Sequence, residues 1–367
     1  MFSSRLDWTL RPNALARLVE RKRAAGARIL DLTESNPTRV GLRYPADDIL
    51  DAFSGARNLF YEPQPRGLAA ARAAIAERHG VDAGRIFLCA STSEAYSWLF
   101  KLLCDPGDEV LVPRPSYPLL DYLAALESVK ARPYPLAYHE GWWIDLDALR
   151  GAVTPRTRAI LVVNPNNPTG SYVKRGELNE LLALGIPLIS DEVFAEFSFG
   201  DDPRRAATLS GVTDVSAFCL GGLSKVCGLP QMKAGWIILN DEASAARLEL
   251  IADTYLSVGT PVQHALGALL AAGREVRDQI RARTAANLAV LRGAARPLDV
   301  EGGWYAVIRL PQTQSEEQWT LDLLEHADVL AQPGYFYDFE SEAYLVVSLL
   351  TQPEIFRAGI ERLREFL

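Results

Sequence analysis

The feature that most constrains this fold is a series of short, continuous apolar runs, each ending in a small or polar turn. "RIFLCA" (85–90), "EVLVP" (109–113), "AILVV" (159–163), "PLIS" (187–190), "AFCLG" (217–221) and "GWIIL" (235–239) have strand length, and helical segments separate most of them. They do not alternate apolar with polar, so they suit strands buried on both faces, as in a parallel sheet covered by helices. "RILDLT" (28–33) reads as a further short strand. "ALARLVERKRAAG" (14–26), "RGLAAARAAIAERHG" (66–80) and "SEAYSWLFKLLCDPGD" (93–108) read as helices, the first two stopped by Gly26 and Gly80 and the third by Pro-Gly.

After Ala243 the pattern changes. "ASAARLELIADTYL", "PVQHALGALLAAG" and "REVRDQIRARTAANLAVLRGAA" form a long helical stretch, and "WYAVIRL" and "AYLVVSLL" then alternate with helices at 316–327 and 354–366. The expected architecture is α/β: a three-layer large domain with a mostly parallel sheet over residues 30–255, and a smaller α+β domain made of residues 1–29 and 256–367. The chain of 367 residues is long enough for two such cores.

Composition narrows the function classes. A net charge of -8 gives no support to a nucleic-acid partner. No apolar run reaches the ~18 residues of a membrane span, and Arg5, Asp7 and Arg11 interrupt the start before any signal-like run. The cytoplasm is the expected location. Cys89, Cys104, Cys219 and Cys227 lack CxxC spacing and read as free thiols, and the four histidines have no ligand spacing, so no metal is expected.

Three motifs carry chemistry. In "LGGLSKVCGLPQMKAGW", Lys225 follows a strand among small and apolar neighbours; it is one of only six lysines. A lysine whose pKa is lowered by desolvation can form a Schiff base with a carbonyl cofactor; a lysine that merely holds a loop is the plain alternative. In "LISDEVFAEF", Asp191 ends a buried strand, where doubly wound sheets bind ligands and a carboxylate can keep a pyridinium nitrogen protonated. In "NPNNPTG" (164–170), another buried strand enters a shaped turn whose amides can reach a phenolic oxygen on a bound ring. A turn aspartate and an ordinary asparagine turn are the competing readings.

In this order and at these intervals, "NPNNPTG", "SDEVF" and "LSK" resemble the fold-type I pyridoxal-phosphate enzymes, and among them the class I/II aminotransferases, from about Leu30 to the end. The resemblance implies pyridoxal 5'-phosphate held as a Schiff base on Lys225, with Asp191 on the pyridinium nitrogen and Asn167 on the phenolic oxygen. Tyr117, in "PRPSYP", matches the aromatic stacked on the ring. Ser91, Thr92 and Ser93, in "ASTSEA", match the phosphate loop at a helix start, joined by Ser224 and Lys233. Tyr61 matches a tyrosine that reaches the phosphate of a partner subunit, which implies a homodimer with shared active sites. The implied activity is ping-pong transfer of an amino group from an amino acid or amine to a 2-oxo acid. A lyase, racemase or decarboxylase on the same cofactor, and a non-catalytic binding protein of this fold, are the alternatives.

Four positions depart from the resemblance. Phe194 stands for a tyrosine that bonds the phenolic oxygen. Gly222 stands for a phosphate-binding serine. Lys233 stands for an arginine, keeping the charge but not the two-pronged fork. Val346 stands where relatives place the arginine that grips the substrate carboxylate. Arg39, Arg43, Arg66 and Arg309 are the candidate substitutes; otherwise the substrate is unusual, such as an amine or an amino acid modified at its carboxyl end.

Overall fold

A computed structural model describes residues 2–6, 8 and 11–367; Asp7, one of the three early charges, lies outside them. Along the chain the strands are β1 (Leu30–Asp31), β2 (Ile86–Cys89), β3 (Glu109–Arg114), β4 (Lys130–Tyr138), β5 (Trp142–Ile144), β6 (Thr157–Val163), β7 (Leu188–Asp191), β8 (Ala217–Gly222), β9 (Gly235–Leu239), β10 (Tyr305–Arg309), β11 (Val329–Leu330), β12 (Gln332–Pro333) and β13 (Tyr344–Ser348). The six apolar runs are β2, β3, β6, β7, β8 and β9. They lie in one eight-stranded sheet of order β2-β9-β8-β7-β6-β3-β4-β5. Strands β4, β3, β6, β7 and β8 run parallel, and β9, β2 and β5 run antiparallel to their neighbours.

Alternate residues of each strand enter different cores. Ile86, Leu88, Ile160, Val162 and Ile238 pack with helix Ala69–His79 and the first half of helix Thr260–Ala294. Phe87, Cys89, Leu161, Ile189 and Ile237 pack with helices Thr92–Leu103 and Glu242–Tyr255 on the other face. Both faces are covered, which explains why the strands carry no polar alternation. The result is the expected three-layer α/β arrangement.

A second core gathers around the antiparallel sheet β10-β13-β12. Helices Glu316–Ala327 and Pro353–Phe366 and the end of Thr260–Ala294 close over it. The N-terminal helix Ala14–Ala24 joins this unit through Leu15 and Leu18 against Leu324 and Leu330. Strand β1 also pairs here, with β11, and not with the large sheet. Helix Thr260–Ala294 fuses two of the three helical segments read from sequence and serves both cores.

Strands β4 and β5 have no counterpart in the sequence reading. Most of β4 is half-buried or exposed, and it contains Pro133 and Pro135, so it shows no apolar run. The register of β3 against β4 creates it: Leu111 pairs Arg132 and Val112 pairs Pro133.

Candidate active site

The four neighbouring strands β3, β6, β7 and β8 end on the same side of the sheet, because they are parallel. Their carboxyl ends carry Tyr117, Asn167, Asp191 and Lys225 respectively. The topology therefore brings together residues up to 108 positions apart in sequence. This is where open α/β sheets bind ligands.

Asp191 is buried at the end of β7. The Tyr96 hydroxyl donates to its Oδ2 at 2.8 Å, and the Val193 amide donates to its Oδ1 at 3.1 Å. Burial pushes the carboxyl above its ordinary range, while these two hydrogen bonds and the nearby Lys225 charge oppose the rise. Among the described residues Asp191 has no ion pair within salt-bridge distance. Tyr96 lies on helix Thr92–Leu103, one turn past the serines at its start, and sequence reasoning gave it no role. Its i+4 spacing from Thr92 was the available signal.

Lys225 sits in the short helix Leu223–Val226 that follows β8. Its Nζ lies 5.1 Å from the Trp304 ring centroid and 5.6 Å from that of Phe194. Desolvation lowers its pKa, and Asp191 partly restores it. Helix Thr260–Ala294 packs tightly on the turn after Lys225: a Cβ at Gly273 would stand 2.4 Å from Cys227 Sγ. Gly222, where the resemblance expects a serine, has its own packing reason. A side chain there would meet Ala234 O at 3.2 Å and Gly235 Cα at 3.3 Å.

The three asparagines of the 164–170 turn divide sharply. Asn164 donates to Ala206 O at 2.8 Å and accepts from Val173 N at 3.0 Å. Asn166 donates to Pro115 O at 3.0 Å and Thr169 Oγ1 at 2.9 Å, and accepts from Ser116 at 3.1 Å. Both hold the turn together. Asn167 is buried, and its Oδ1 has no partner among the described residues. Buried polar atoms are rarely left so, which marks Asn167 as the amide available to a ligand.

Tyr117 is 46% exposed. Burial, and then the Asp191 charge, raise its hydroxyl pKa. Ser91 caps helix Thr92–Leu103, accepting from Glu94 N at 3.3 Å. The first-turn amides of Thr92 and Ser93 have no intrahelical acceptor and are open to an anion. Gly235 ties this helix start to β8: its missing Cβ leaves room for Ser91 C and Gly221 O, both 3.1 Å from where it would be.

The other three expected residues are placed differently. Lys233 is exposed, with left-handed backbone (φ 50°), and forms no ion pair among the described residues. Ser224 is half-buried beside Lys225. Tyr61 is 79% exposed and lines a crevice with Trp98 and Leu256, not the cavity at Lys225.

The remaining wall comes from the second core and from the loop after β1. Phe194, Trp304 and Tyr305 pack edge to face, with centroids 5.3 and 6.3 Å apart from Phe194. Ser35 and Glu34 act on the Tyr305 hydroxyl. Val346 is fully buried in the same aromatic cluster, opposite Val307 and beside Gln332. Of the candidate arginines, Arg66 is bound to Glu249 at 2.7 Å and to Gly84 O at 3.0 Å. Arg309 donates to the Tyr344 hydroxyl at 3.3 Å, and its guanidinium lies over the Tyr138 and Tyr344 rings. Arg39 and Arg43 are exposed.

Comparison with known proteins decides the family. The model of the aminotransferases of class I and II matches residues 28–361. The chain belongs to that family. It is 28% identical to the alanine aminotransferase of Mycobacterium bovis over 95% of this chain and 87% of the relative. It is 29% identical to the glutamate-pyruvate aminotransferase AlaA of Escherichia coli, over 70% of this chain and 66% of that protein. Among solved structures, the alanine aminotransferase from Pyrococcus furiosus superposes with a TM-score of 0.87 at 26% identity, covering 100% and 99% of the two chains. This class I/II aminotransferase thus keeps its relatives' fold over its whole length.

Proposed function

We propose that this aminotransferase holds pyridoxal 5'-phosphate on Lys225 and moves an amino group from an amino acid or amine to a 2-oxo acid. Asp191 carries the reading. It is a buried carboxylate without an ion pair among the described residues, at the end of the strand beside the one that delivers Lys225. A protonated ring nitrogen is the partner it lacks. The Asn167 side chain, which makes no hydrogen bond among the described residues, supports the same fit, since its amide nitrogen is free to donate to a phenolic oxygen; so do the open amides at Thr92 and Ser93.

When bound, this cofactor supplies a carbonyl for the donor's nitrogen and a ring that draws electrons from the adjacent carbon. Asp191 would keep the proton on the ring nitrogen. Asn167 would meet the phenolic oxygen, Tyr117 would cover the ring, and the helix start at Ser91, Thr92 and Ser93, with Ser224 and Lys233, would receive the phosphate. Desolvation lowers the Lys225 pKa, which favours the free amine that would accept a proton from the donor carbon and return it. Phe194 and Trp304 set apolar ring faces beside the Lys225 amine.

The reading includes a homodimer with shared sites. Leu59, Phe60, Tyr61, Leu250, Tyr255 and Leu256 are exposed, and Tyr61 and Leu256 share one crevice. An apolar surface of this kind fits a second copy. A cytoplasmic location belongs to the same proposal; among the described residues no helix is long and apolar enough to cross a membrane.

The test is chemical. Protein incubated with pyridoxal phosphate and reduced with borohydride should carry the label on the peptide containing Lys225. Label elsewhere, or none, overturns the reading. Product analysis with and without an added 2-oxo acid separates transfer from lyase, racemase or decarboxylase chemistry, since only transfer needs the acceptor.

A further inference from the structure

The cavity in front of Lys225 measures about 360 Å³. Asp31, Thr33, Glu34, Ser35 and Asn36 line it, and Lys225 is its one basic side chain among the described residues. Asp31 accepts from the Thr33 amide and hydroxyl at 2.8 and 2.6 Å, and Arg23 stands 3.9 Å away on its other oxygen. Glu34 accepts from the Asn36 amide at 2.8 Å and forms no ion pair among the described residues. The aromatic faces lie beside Lys225: the Trp304 and Phe194 ring centroids stand 5.1 and 5.6 Å from its Nζ, with the fully buried Val346 in the same cluster. Arg66 and Arg309 are engaged elsewhere, and neither Arg39 nor Arg43 lines the cavity.

A donor reaching Lys225 therefore meets an uncompensated carboxylate and aromatic faces. A carboxylate on the donor's reacting carbon would be repelled by Glu34 and would lose water without gaining a cation. A positive or uncharged donor meets attraction from Glu34 and favourable contact with the rings. Resting on the aminotransferase reading, we propose that the donor is a primary amine with no carboxylate on the carbon that bears the nitrogen, and that Glu34 favours donors with a second positive charge. The half-reaction balances: the amine carbon is oxidised by two electrons to an aldehyde, and the cofactor's carbonyl carbon is reduced to an amine. Nitrogen passes to the cofactor and oxygen to the donor.

The experiment uses loaded enzyme and matched pairs differing only in the carboxylate, L-norvaline and butylamine, and L-phenylalanine and phenylethylamine, with putrescine as the amine that carries a second positive charge. The rate of loss of the visible band is measured for each. Each amine is expected to exceed its amino acid by about tenfold or more in kcat/KM, with putrescine ahead of butylamine. Equal rates, or faster amino acids, overturn the proposal. Glu34→Gln should reduce the putrescine-to-butylamine ratio about threefold or more; a merely structural role for Glu34 would lower both rates and leave the ratio unmoved, which would refute its part. If no donor bleaches a band that borohydride still fixes on Lys225, the donor class is refuted while the cofactor site stands. If nothing is trapped there, the aminotransferase reading fails and the inference with it.

Discussion

Lys225 trades stability for reactivity. Its pKa is lowered chiefly by desolvation, so the folded protein without cofactor binds fewer protons at this site than the unfolded chain does. Stability then rises with pH through the window from the lowered pKa to the ordinary lysine value of about 10.4. Below that window the buried ammonium is a cost. Cofactor-free Lys225→Met should therefore melt higher than the parent at neutral pH, and the gap should close as pH rises towards that value. Melting curves across pH check this. Loaded Lys225→Ala should lose about 10²–10⁴-fold in turnover, the usual share of a positioned base. Phe194→Tyr restores a hydroxyl beside the site, within a packed aromatic cluster. It should lower the pH at which the visible band of the loaded enzyme changes, because a hydrogen bond to the phenolate favours the charged form. A spectral titration reads it directly; an unchanged or raised midpoint counts against the assignment.

At the scale of elements, the helix Thr260–Ala294 is the piece on which both cores depend. It crosses the loop after Lys225 at Gly273, where any Cβ would strike Cys227. Gly273→Val should destabilise by about 1–3 kcal/mol, the ordinary range for overpacking, and should weaken cofactor binding more than a Gly293→Ala change, since Gly293 has nothing within 4 Å. Thermal melts and cofactor titrations on the two variants make the comparison. The turn at 164–170 shows a different division of labour. Asn164 and Asn166 are bonded on both sides of their amides, so substituting them should cost stability. Asn167→Ala should spare the fold and weaken the cofactor complex about tenfold, as for one lost hydrogen bond.

At the scale of the whole molecule, one side of the protomer carries apolar side chains that a second copy would cover. Leu256→Asp places a charge in the crevice lined by Tyr61 and Trp98 and should shift the sedimenting species from dimer to monomer. A dimer that persists unchanged would move the interface elsewhere.

The sequence by itself determined the central sheet, because a strand buried on both faces must be apolar at every position. It also determined Lys225, Asp191 and the asparagine turn as candidates, since each follows such a strand directly. It was silent about β4, whose half-exposed residues and two prolines look like a loop until β3 pairs with them. It was equally silent on which asparagine stays unpartnered, and on the Tyr96 bond to Asp191. Those depend on groups distant in the chain, brought to hydrogen-bond range only when parallel strands align their ends. Whether any arginine stands in for the one missing at Val346 was likewise left to tertiary structure: an ion pair such as Arg66 with Glu249 joins positions that no local pattern connects.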